Sequence, residues 1–290
     1  MTGRSLPPAN TVDRGTREVL AEAMATDPAE ARSAASSFGS DAGRYDRARP
    51  RYPDALIRRI ADGARDVDPD GAPRVLDVGV GTGIVARQLR DAGCTVLGVD
   101  VDDRMADVAR RDGTVVEIAR FEDWDAAGRT FDAVTAGQTW HWVDPDAGAL
   151  RAAEALRPGG GLTVFWNAGD PPPDLAEAFA DVYREVLPGS PMAAAGSGSA
   201  REGYGRMITR AAEGVRRSAA FADPREHRYT WERTYTRDQW LDLVPTTGLM
   251  TRLPAAQLDA VLDGLGAAID AAGGSFVQQG ATLALTAARR

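Results

Sequence analysis

Short apolar runs alternate with amphipathic segments through the middle of the chain, from residue 73 to residue 167. The runs are six or seven residues long and suit buried strands: PRVLDVG, TVLGVD, TVVEIA, FDAVTAG and GLTVFWN. The segments between them show helical spacing and end at glycine: TGIVARQLRDAG, DRMADVARRDG and PDAGALRAAEALRPGG. Strands that alternate with helices in this way predict a parallel sheet with both faces covered.

The regular alternation ends at NAGDPPPD, residues 167–174. Helical periodicity returns over 174–187 and 201–217, on either side of a Gly/Ser/Ala/Pro-rich stretch typical of a flexible connection. Residues 227–236 alternate like a strand, two helical segments follow, and SFVQQGATLALTAAR reads as a final strand. The pattern predicts an α/β fold: a doubly wound, mostly parallel seven-stranded sheet with a helical cap insertion after the fifth strand.

Composition narrows the chemistry. The net charge is −8, which does not favour a nucleic-acid partner, because phosphate backbones require a concentrated basic surface. All 34 basic residues are arginine, so Schiff-base chemistry and a P-loop lysine are excluded. With Cys94 as the single cysteine and two distant histidines, neither a disulfide nor a metal site is expected. The sequence shows no signal peptide and no membrane-spanning run, which predicts a cytoplasmic protein without a membrane partner.

The stretch VLDVGVGTG places Gly79, Gly81 and Gly83 at a strand-to-helix turn, where a ligand can approach the backbone closely. Its G-x-G-x-G spacing differs from the G-x-G-x-x-G of dinucleotide sites. Asp77 would also repel a pyrophosphate at the helix N-terminus, and suits a cationic ligand group better. Asp100 ends the next strand, where a carboxylate can bind two ribose hydroxyls. S-adenosylmethionine has both a ribose and a cationic amino-acid end.

Four stretches resemble, in order and spacing, the successive motifs of class I S-adenosylmethionine-dependent methyltransferases: VLDVGVGTG, VLGVDVDDRM, FDAVTAGQTWHWVD and LRPGGGLTVFWN. The upstream YDRARPRYPDAL is similar to the lead-in of the small-molecule branch, and WHWVD to the trans-aconitate methyltransferase-like, or type 11, group. The resemblance covers residues 38–290. It implies a Rossmann-like methyltransferase fold and transfer of a methyl group from S-adenosylmethionine to the O, N or C of a small molecule, such as a secondary metabolite or small carboxylic acid.

On this basis we divide the chain into four parts. Residues 1–40 form an N-terminal arm, and 41–167 the cofactor-binding half of the methyltransferase domain. Residues 168–225 form the cap insertion, and 226–290 complete the sheet.

The resemblance also implies roles for single positions. The glycine loop and Asp77 would line the methionine end of the cofactor, and Asp100 would bind the ribose. The adenine would lie near the residues after the second and third strands, and the lead-in would lie over the cofactor. The implied cofactor-binding residues are Tyr45, Arg51, Asp77, Gly79, Gly81, Thr82, Gly83, Asp100, Val101, Met105, Phe121, Glu122, Gln138 and Thr139.

Several of these positions have a plainer alternative. The loop glycines could serve a tight turn alone, and Asp100 could cap a helix. Glu122 could be a solvated residue, Arg51 a surface charge, and Met105 a core residue. DPPPD follows the fifth strand rather than the fourth and lacks the aromatic residue of a nucleic-acid amino-methyltransferase motif, so we interpret it as a hinge.

His141 is the predicted catalytic residue, and three roles stay open for it. It could be a general base, a hydrogen-bonding wall of the substrate pocket, or a structural histidine. Trp140, Trp142 and Trp166 complete the predicted substrate pocket. In an extended segment Trp140 and Trp142 would face opposite sides, one toward the core and one toward the pocket.

Other polar residues are interpreted as structural. His227 is expected at the surface, and Arg206 and Arg210 on a solvated helix face, although an anionic acceptor could also use them. Three rival functions remain: an NAD-dependent oxidoreductase, a non-catalytic S-adenosylmethionine-binding protein, and a methyltransferase acting on a macromolecule. The sequence does not decide between a monomer and a homodimer.

Overall fold

The computed structural model describes residues 37–190, 192–193 and 200–290, without the side chains of 200–202. Most of the predicted N-terminal arm therefore lies outside the described residues. The helices and strands are α1 (Ala42–Ala48), α2 (Asp54–Val67), β1 (Arg74–Val78), α3 (Ile84–Asp91), β2 (Thr95–Asp100), α4 (Asp103–Arg111), β3 (Val115–Ile118), β4 (Phe131–Gly137), α5 (Pro145–Ala155), β5 (Leu156–Asp170), α6 (Pro173–Val186), α7 (Ala200–Arg217), β6 (Arg225–Thr236), α8 (Arg237–Leu243), α9 (Ala255–Ala271) and β7 (Ser275–Ala288).

The strands of the described ranges form one seven-stranded sheet in the order β3-β2-β1-β4-β5-β7-β6. β1 to β5 run parallel, and β7 lies antiparallel to both β5 and β6. The predicted doubly wound, mostly parallel sheet is confirmed. The order reverses beside β1, so the carboxyl ends of β1 and β4 open a crevice at one edge of the sheet.

The helix that begins at residue 145, predicted to end at Pro158, ends at Ala155, and β5 begins at Leu156. Pro158 and the following glycines therefore lie in the strand, and that part of the prediction was wrong. Pairing explains the difference: Leu156 pairs with Phe131 on one side, and Gly161 pairs with Ala288 of β7 on the other. Backbone hydrogen bonds to two neighbouring strands override the local helix signal.

Helices cover both faces of the sheet and build separate apolar clusters. One cluster holds α5 and α7 against the sheet, and another holds α2 and α3. A third cluster joins α6, α8 and α9 beyond the carboxyl edge. The segment predicted as a cap thus places α6 against α9 and α7 against β5 and β7. The domain limits themselves stay a proposal.

The segment from Phe38 to α1 crosses the carboxyl edge of the sheet and touches α4 and α8. Two of its contacts are ion pairs: Asp46 pairs with Arg87 of α3 at 2.5 Å, and Arg44 pairs with Asp242 of α8 at 2.8 Å. Across the described ranges, no helix is long and apolar enough to cross a membrane.

Candidate functional site

A cavity of about 700 Å³ lies at the carboxyl ends of β1, β2 and β4, where open α/β sheets bind ligands. We call it the main cavity. Its wall includes eleven of the fourteen implied cofactor-binding residues: Tyr45, Gly79, Gly81, Thr82, Asp100, Val101, Met105, Phe121, Glu122, Gln138 and Thr139. Arg51, Asp77 and Gly83 do not line it.

The glycine loop is shaped by close packing under Thr139. Gly79 has a φ of +64°, and a Cβ there would lie 2.1 Å from Cγ2 of Thr139. The position therefore tolerates no side chain, and the loop backbone is left open toward the cavity. Gly83 precedes α3 with a φ of +86° and faces Ala109, so it serves the turn and helix packing.

Asp77 lies beneath the loop rather than in the cavity wall, with 1% of its surface exposed. Its Oδ1 accepts a hydrogen bond from Thr135 Oγ1 at 3.0 Å. Burial raises the pKa of this carboxyl from 3.8 to about 7, and the Thr135 bond only partly offsets that rise. The expectation that Asp77 lines the cavity was wrong, because its side chain is directed toward Thr135 of the neighbouring strand β4 and not into the crevice.

Asp100 joins the loop to the end of β2. Its Oδ2 accepts from Gly81 N at 2.7 Å, and its Oδ1 accepts from Asp102 N at 2.9 Å. Burial raises the pKa of Asp100, against the lowering effect of these backbone donors. Asp102, not Asp100, caps α4 by accepting from Arg104 N at 3.0 Å. Each carboxylate oxygen of Asp100 keeps a lone pair that can accept from a ligand hydroxyl.

Two buried polar atoms in the wall have no protein partner within the described ranges. They are Oγ1 of Thr82 and Oε1 of Gln138. Gln138 also has a φ of +56°, a left-handed conformation that is uncommon for a residue with a side chain. Buried polar atoms are normally paired, so both atoms are suited to a bound ligand.

The wall beyond β3 combines an aromatic ring with an acid. Phe121 is buried and packs near Trp124, with 6.3 Å between the ring centroids. The Oε1 of Glu122 accepts from Asp144 N at 3.0 Å, so the acid is tied to the wall and is not a freely solvated side chain.

In the lead-in, the arginine that reaches the cavity is not the predicted one. Arg51 is exposed and lines no described cavity, which corrects its assignment to the cofactor site. Arg49 lines the main cavity instead, with its Nε donating to Thr246 Oγ1 at 3.1 Å and its guanidinium 4.7 Å from the Tyr45 ring centre. No pattern in the sequence separates two arginines on either side of a proline, so only packing could identify Arg49.

Other lining residues come from distant parts of the chain and also escaped sequence reasoning. They are brought to the wall by the segment before α2, by α7 and by the loop after α8: Phe38, Tyr52, Tyr204 and Thr247.

The WHW stretch forms a single 3-10 turn, not an extended segment. Trp140 is 2% exposed and packs near Phe121, whereas Trp142 lines the cavity beside Phe38. Trp166 is completely buried. Trp140 and Trp166 therefore lie behind the wall, which corrects their assignment to the substrate pocket. His141 and Trp142 lie in it.

Trp166 reaches the site indirectly, because its Nε1 donates to Nδ1 of His141 at 3.1 Å. An indole nitrogen can only donate, so Nδ1 of His141 is the unprotonated nitrogen and the proton of the neutral ring is on Nε2. Burial, helped by Arg210, lowers the pKa of His141 from 6.5 to about 4. The ring is therefore neutral at pH 7.

The remaining polar candidates divide between the wall and the surface. Arg210 lines the main cavity, and Arg206 is exposed outside it. His227 lies on β6 with Nε2 3.0 Å from Thr286 Oγ1, away from the cavity.

Comparison with known proteins gives a consistent result. Residues 76–164 match a family model described as a methyltransferase domain. An uncharacterised methyltransferase of Mycobacterium tuberculosis H37Rv is 32% identical over 233 residues, which cover 78% of this chain and 83% of the relative. The malonyl-[acyl-carrier protein] O-methyltransferase of Enterobacter lignolyticus is 32% identical over 158 residues, covering 52% and 60%.

Among solved structures, a Haemonchus contortus phosphoethanolamine N-methyltransferase 2 in complex with S-adenosyl-L-methionine covers 97% of this chain. The match covers 61% of that protein, with 16% identity and a TM-score of 0.44.

Proposed function

Because the chain belongs to the class I S-adenosylmethionine-dependent methyltransferases of the type 11 group, we propose that the main cavity holds S-adenosylmethionine. The enzyme methylates a small-molecule acceptor with this cofactor, and an NAD-dependent oxidoreductase or a non-catalytic binding protein is not favoured. A cytoplasmic location stays a prediction. So does the lack of a nucleic-acid partner, which the net charge of −8 supports.

The residues of the wall fit the chemical groups of the cofactor. Asp100 offers free lone pairs to the ribose hydroxyls, and Met105, Val101 and Phe121 offer apolar surface to the adenine. Thr82 Oγ1 and Gln138 Oε1 are suited to the polar methionine end. Asp77, beneath the loop, disfavours an anionic group at the helix N-terminus and favours the cofactor's ammonium.

When bound, the sulfonium supplies a methyl group that is already activated and a neutral thioether as the leaving group. The protein's own task is then to align the acceptor and exclude water. Phe38, Tyr45 and Trp142 close the cavity on the lead-in side, and aromatic surface there keeps water from the methyl group.

We interpret His141 as a hydrogen-bond donor and not as a general base. A base must have a free lone pair directed at the acceptor, but the lone pair of Nδ1 is used by Trp166. The Nε2 proton is available to an oxygen of the acceptor. Of the three roles considered from the sequence, the hydrogen-bonding wall has the best support.

The observation that carries the cofactor placement is the pair of unpartnered buried atoms, Thr82 Oγ1 and Gln138 Oε1, beside an open glycine loop. Thr82→Val removes a hydroxyl that bonds to nothing in the described protein, so folding stability should not fall. The affinity for S-adenosylhomocysteine should drop roughly tenfold, as for one lost hydrogen bond to a buried group.

Calorimetry on the wild type, Thr82→Val and the matched control Thr114→Val measures this difference. Thr114 is also buried but lies outside the main cavity. Equal affinities in all three proteins would show that Thr82 is not at the cofactor, and absence of binding to the wild type would overturn the placement altogether.

A further inference from the structure

A second cavity of about 200 Å³ adjoins the main one, and we call it the side cavity. The two share seven wall residues: Tyr45, Arg49, Tyr52, Ile84, Gln138, Tyr204 and Thr247. Gln138, with its unpartnered Oε1, thus stands where the proposed cofactor site meets the side cavity. The rest of the side-cavity wall includes Asn167, Trp231, Tyr235, Trp240 and Gln278.

The floor of the side cavity is one indole laid over two glycines. Trp231 of β6 pairs with Gly280 of β7, which pairs with Gly169 of β5, so the three share one face of the sheet. A Cβ on Gly280 or Gly169 would lie 2.4 or 2.6 Å from Cη2 of Trp231. Only glycine at both places lets the ring lie flat across the strands.

A second indole forms a rigid side wall. The ring of Trp240 stacks on Phe179 at 5.8 Å and meets Tyr235 and Phe276 edge-on at 5.2 and 5.1 Å. Aromatic neighbours on several sides hold the ring in one orientation. A cavity with such fixed planar walls selects a planar ligand.

The side-cavity wall holds neutral acceptors, such as Oε1 of Gln138, and also strong donors. Nε1 of Trp231 and Nε1 of Trp240 are both buried without a hydrogen-bond partner in the part of the chain that the structure describes. Arg49 is the charged residue of the wall, and no carboxylate lines the cavity among the described residues. Its Nε and Nη2 bond to neutral oxygens of Thr246, so its charge is not neutralised there.

We propose that the side cavity binds the methyl acceptor and that this acceptor is a planar, ring-sized oxygen acid, either a carboxylate or a phenolate. This inference rests on the proposed function. A cavity of ~150 Å³ holds a benzene ring, so about 200 Å³ accommodates one substituted ring. Indole N–H groups and an arginine are donors to an oxygen anion, and a cation would meet the uncompensated charge of Arg49. An acceptor that is already an anion also needs no base, as expected with His141 neutral.

The test uses the full-length protein saturated with S-adenosylhomocysteine. Benzoate, 4-nitrophenolate in mildly alkaline buffer, and the cationic benzylamine are titrated, with calorimetry and tryptophan fluorescence as readouts. If either anion binds and benzylamine does not, the proposal is supported. The anion that binds more tightly identifies the acid. Absence of anion binding, or benzylamine bound as tightly, would overturn it while leaving cofactor binding intact.

Variants locate the binding. Arg49→Gln should weaken the anion at least about tenfold, as for a lost charge-assisted bond, while Arg51→Gln should change nothing. Because Arg49 lines both cavities, Trp231→Phe provides an independent check. It keeps an aromatic ring, removes the N–H, and should cost about two- to tenfold in anion affinity with unchanged affinity for S-adenosylhomocysteine. Unchanged anion affinity in both Arg49→Gln and Trp231→Phe would place the ligand elsewhere.

Discussion

The protonation of His141 is set by one neighbour. A tryptophan N–H always donates, and the 3.1 Å bond from Trp166 therefore assigns the lone pair of the histidine to Nδ1. Protonating the ring would turn this acceptor into a second donor and break the bond. Trp166 is buried and does not line the pocket, but its hydrogen bond determines what His141 can do there.

Imidazole nitrogen NMR can test this directly, because the chain has two histidines and His227→Gln leaves only His141. We expect Nδ1 unprotonated, Nε2 protonated, and a titration midpoint near the pKa of about 4. In Trp166→Phe the Nδ1 acceptor loses its donor, so the tautomer preference should weaken. A midpoint near 6.5 in the parent protein would contradict the assignment.

Asp77 is the second residue with a testable ionisation. Its pKa is about 7 in the folded protein and 3.8 when unperturbed, so the folded state binds this proton more tightly. The tighter proton binding adds to the free energy of unfolding. This contribution is fully present below about pH 4 and is lost as the pH rises through about 7. In Asp77→Asn this loss cannot occur, and the melting temperature should depend less on pH across that interval.

The matched control for Asp77→Asn is Asp91→Asn, at an exposed position at the end of α3. Thermal unfolding without cofactor, measured from pH 4 to 8, compares the three proteins. If Asp77→Asn and the wild type show the same pH slope, burial does not raise the pKa of Asp77. We also expect Asp77→Asn to bind S-adenosylhomocysteine more weakly, because the negative charge beneath the loop is gone.

At the scale of structural elements, the paired strands β5, β7 and β6 form one unit. Their register aligns Gly169, Gly280 and Trp231 across the sheet, and the indole fills the space that side chains would occupy. The antiparallel end of the sheet is therefore both a structural support and the floor of the side cavity. Glycine in a strand usually weakens it, and here the close approach of a ring compensates.

Gly280→Ala should destabilise the protein by about 1–3 kcal/mol, the usual cost of overpacking. The new methyl would lie 2.4 Å from the Trp231 ring and 2.7 Å from Ala168 O, and neither the ring nor the backbone can move freely. Gly161→Ala in β5 is the control, since nothing lies within 4 Å of its added Cβ. Chemical denaturation measures both, and equal stabilities would mean that the indole does not cover Gly280.

On the scale of the whole molecule, residues 38–49, which include the start of the lead-in, connect parts of the enzyme that are far apart in the sequence. Arg44 and Arg47 pair with Asp242 of α8, and Asp46 pairs with Arg87 of α3. Phe38 and Tyr45 line the main cavity. The side chains that close the site are thus held by ionic contacts to helices α3 and α8. Each surface ion pair contributes little to stability, so the lead-in can open locally. A bound ligand can therefore stabilise its closed position.

Hydrogen exchange with and without S-adenosylhomocysteine tests whether the cofactor stabilises the lead-in. Bound S-adenosylhomocysteine should slow amide exchange in Ala42–Ala48 at short labelling times, because Tyr45 then packs against a ligand. Helix Ala255–Ala271 lines neither cavity and serves as the internal reference. Equal slowing in both helices would indicate general stabilisation and no specific contact of the lead-in.

Much of this enzyme could be predicted from residue order alone. The alternation of apolar runs and helical segments predicted the sheet, and the G-x-G-x-G loop with Asp100 predicted the cofactor, because local periodicity and turn chemistry depend on neighbours in sequence. The start of β5 was missed for the opposite reason. Its strand conformation at Leu156 depends on hydrogen bonds to Phe131, which a local pattern does not contain.

The tertiary structure alone decided what surrounds each functional group. It placed Arg49 in the wall and Arg51 in solvent, moved Asp77 beneath the loop, and gave His141 its indole donor. It also assembled the side cavity from β5, β6, β7 and α8, of which only β5 carries a motif recognised in the sequence. Burial, charge and hydrogen-bond partners are properties of the space around a side chain. The sequence by itself therefore determined the fold and the cofactor class, and the folded chain determined the chemistry available to the acceptor.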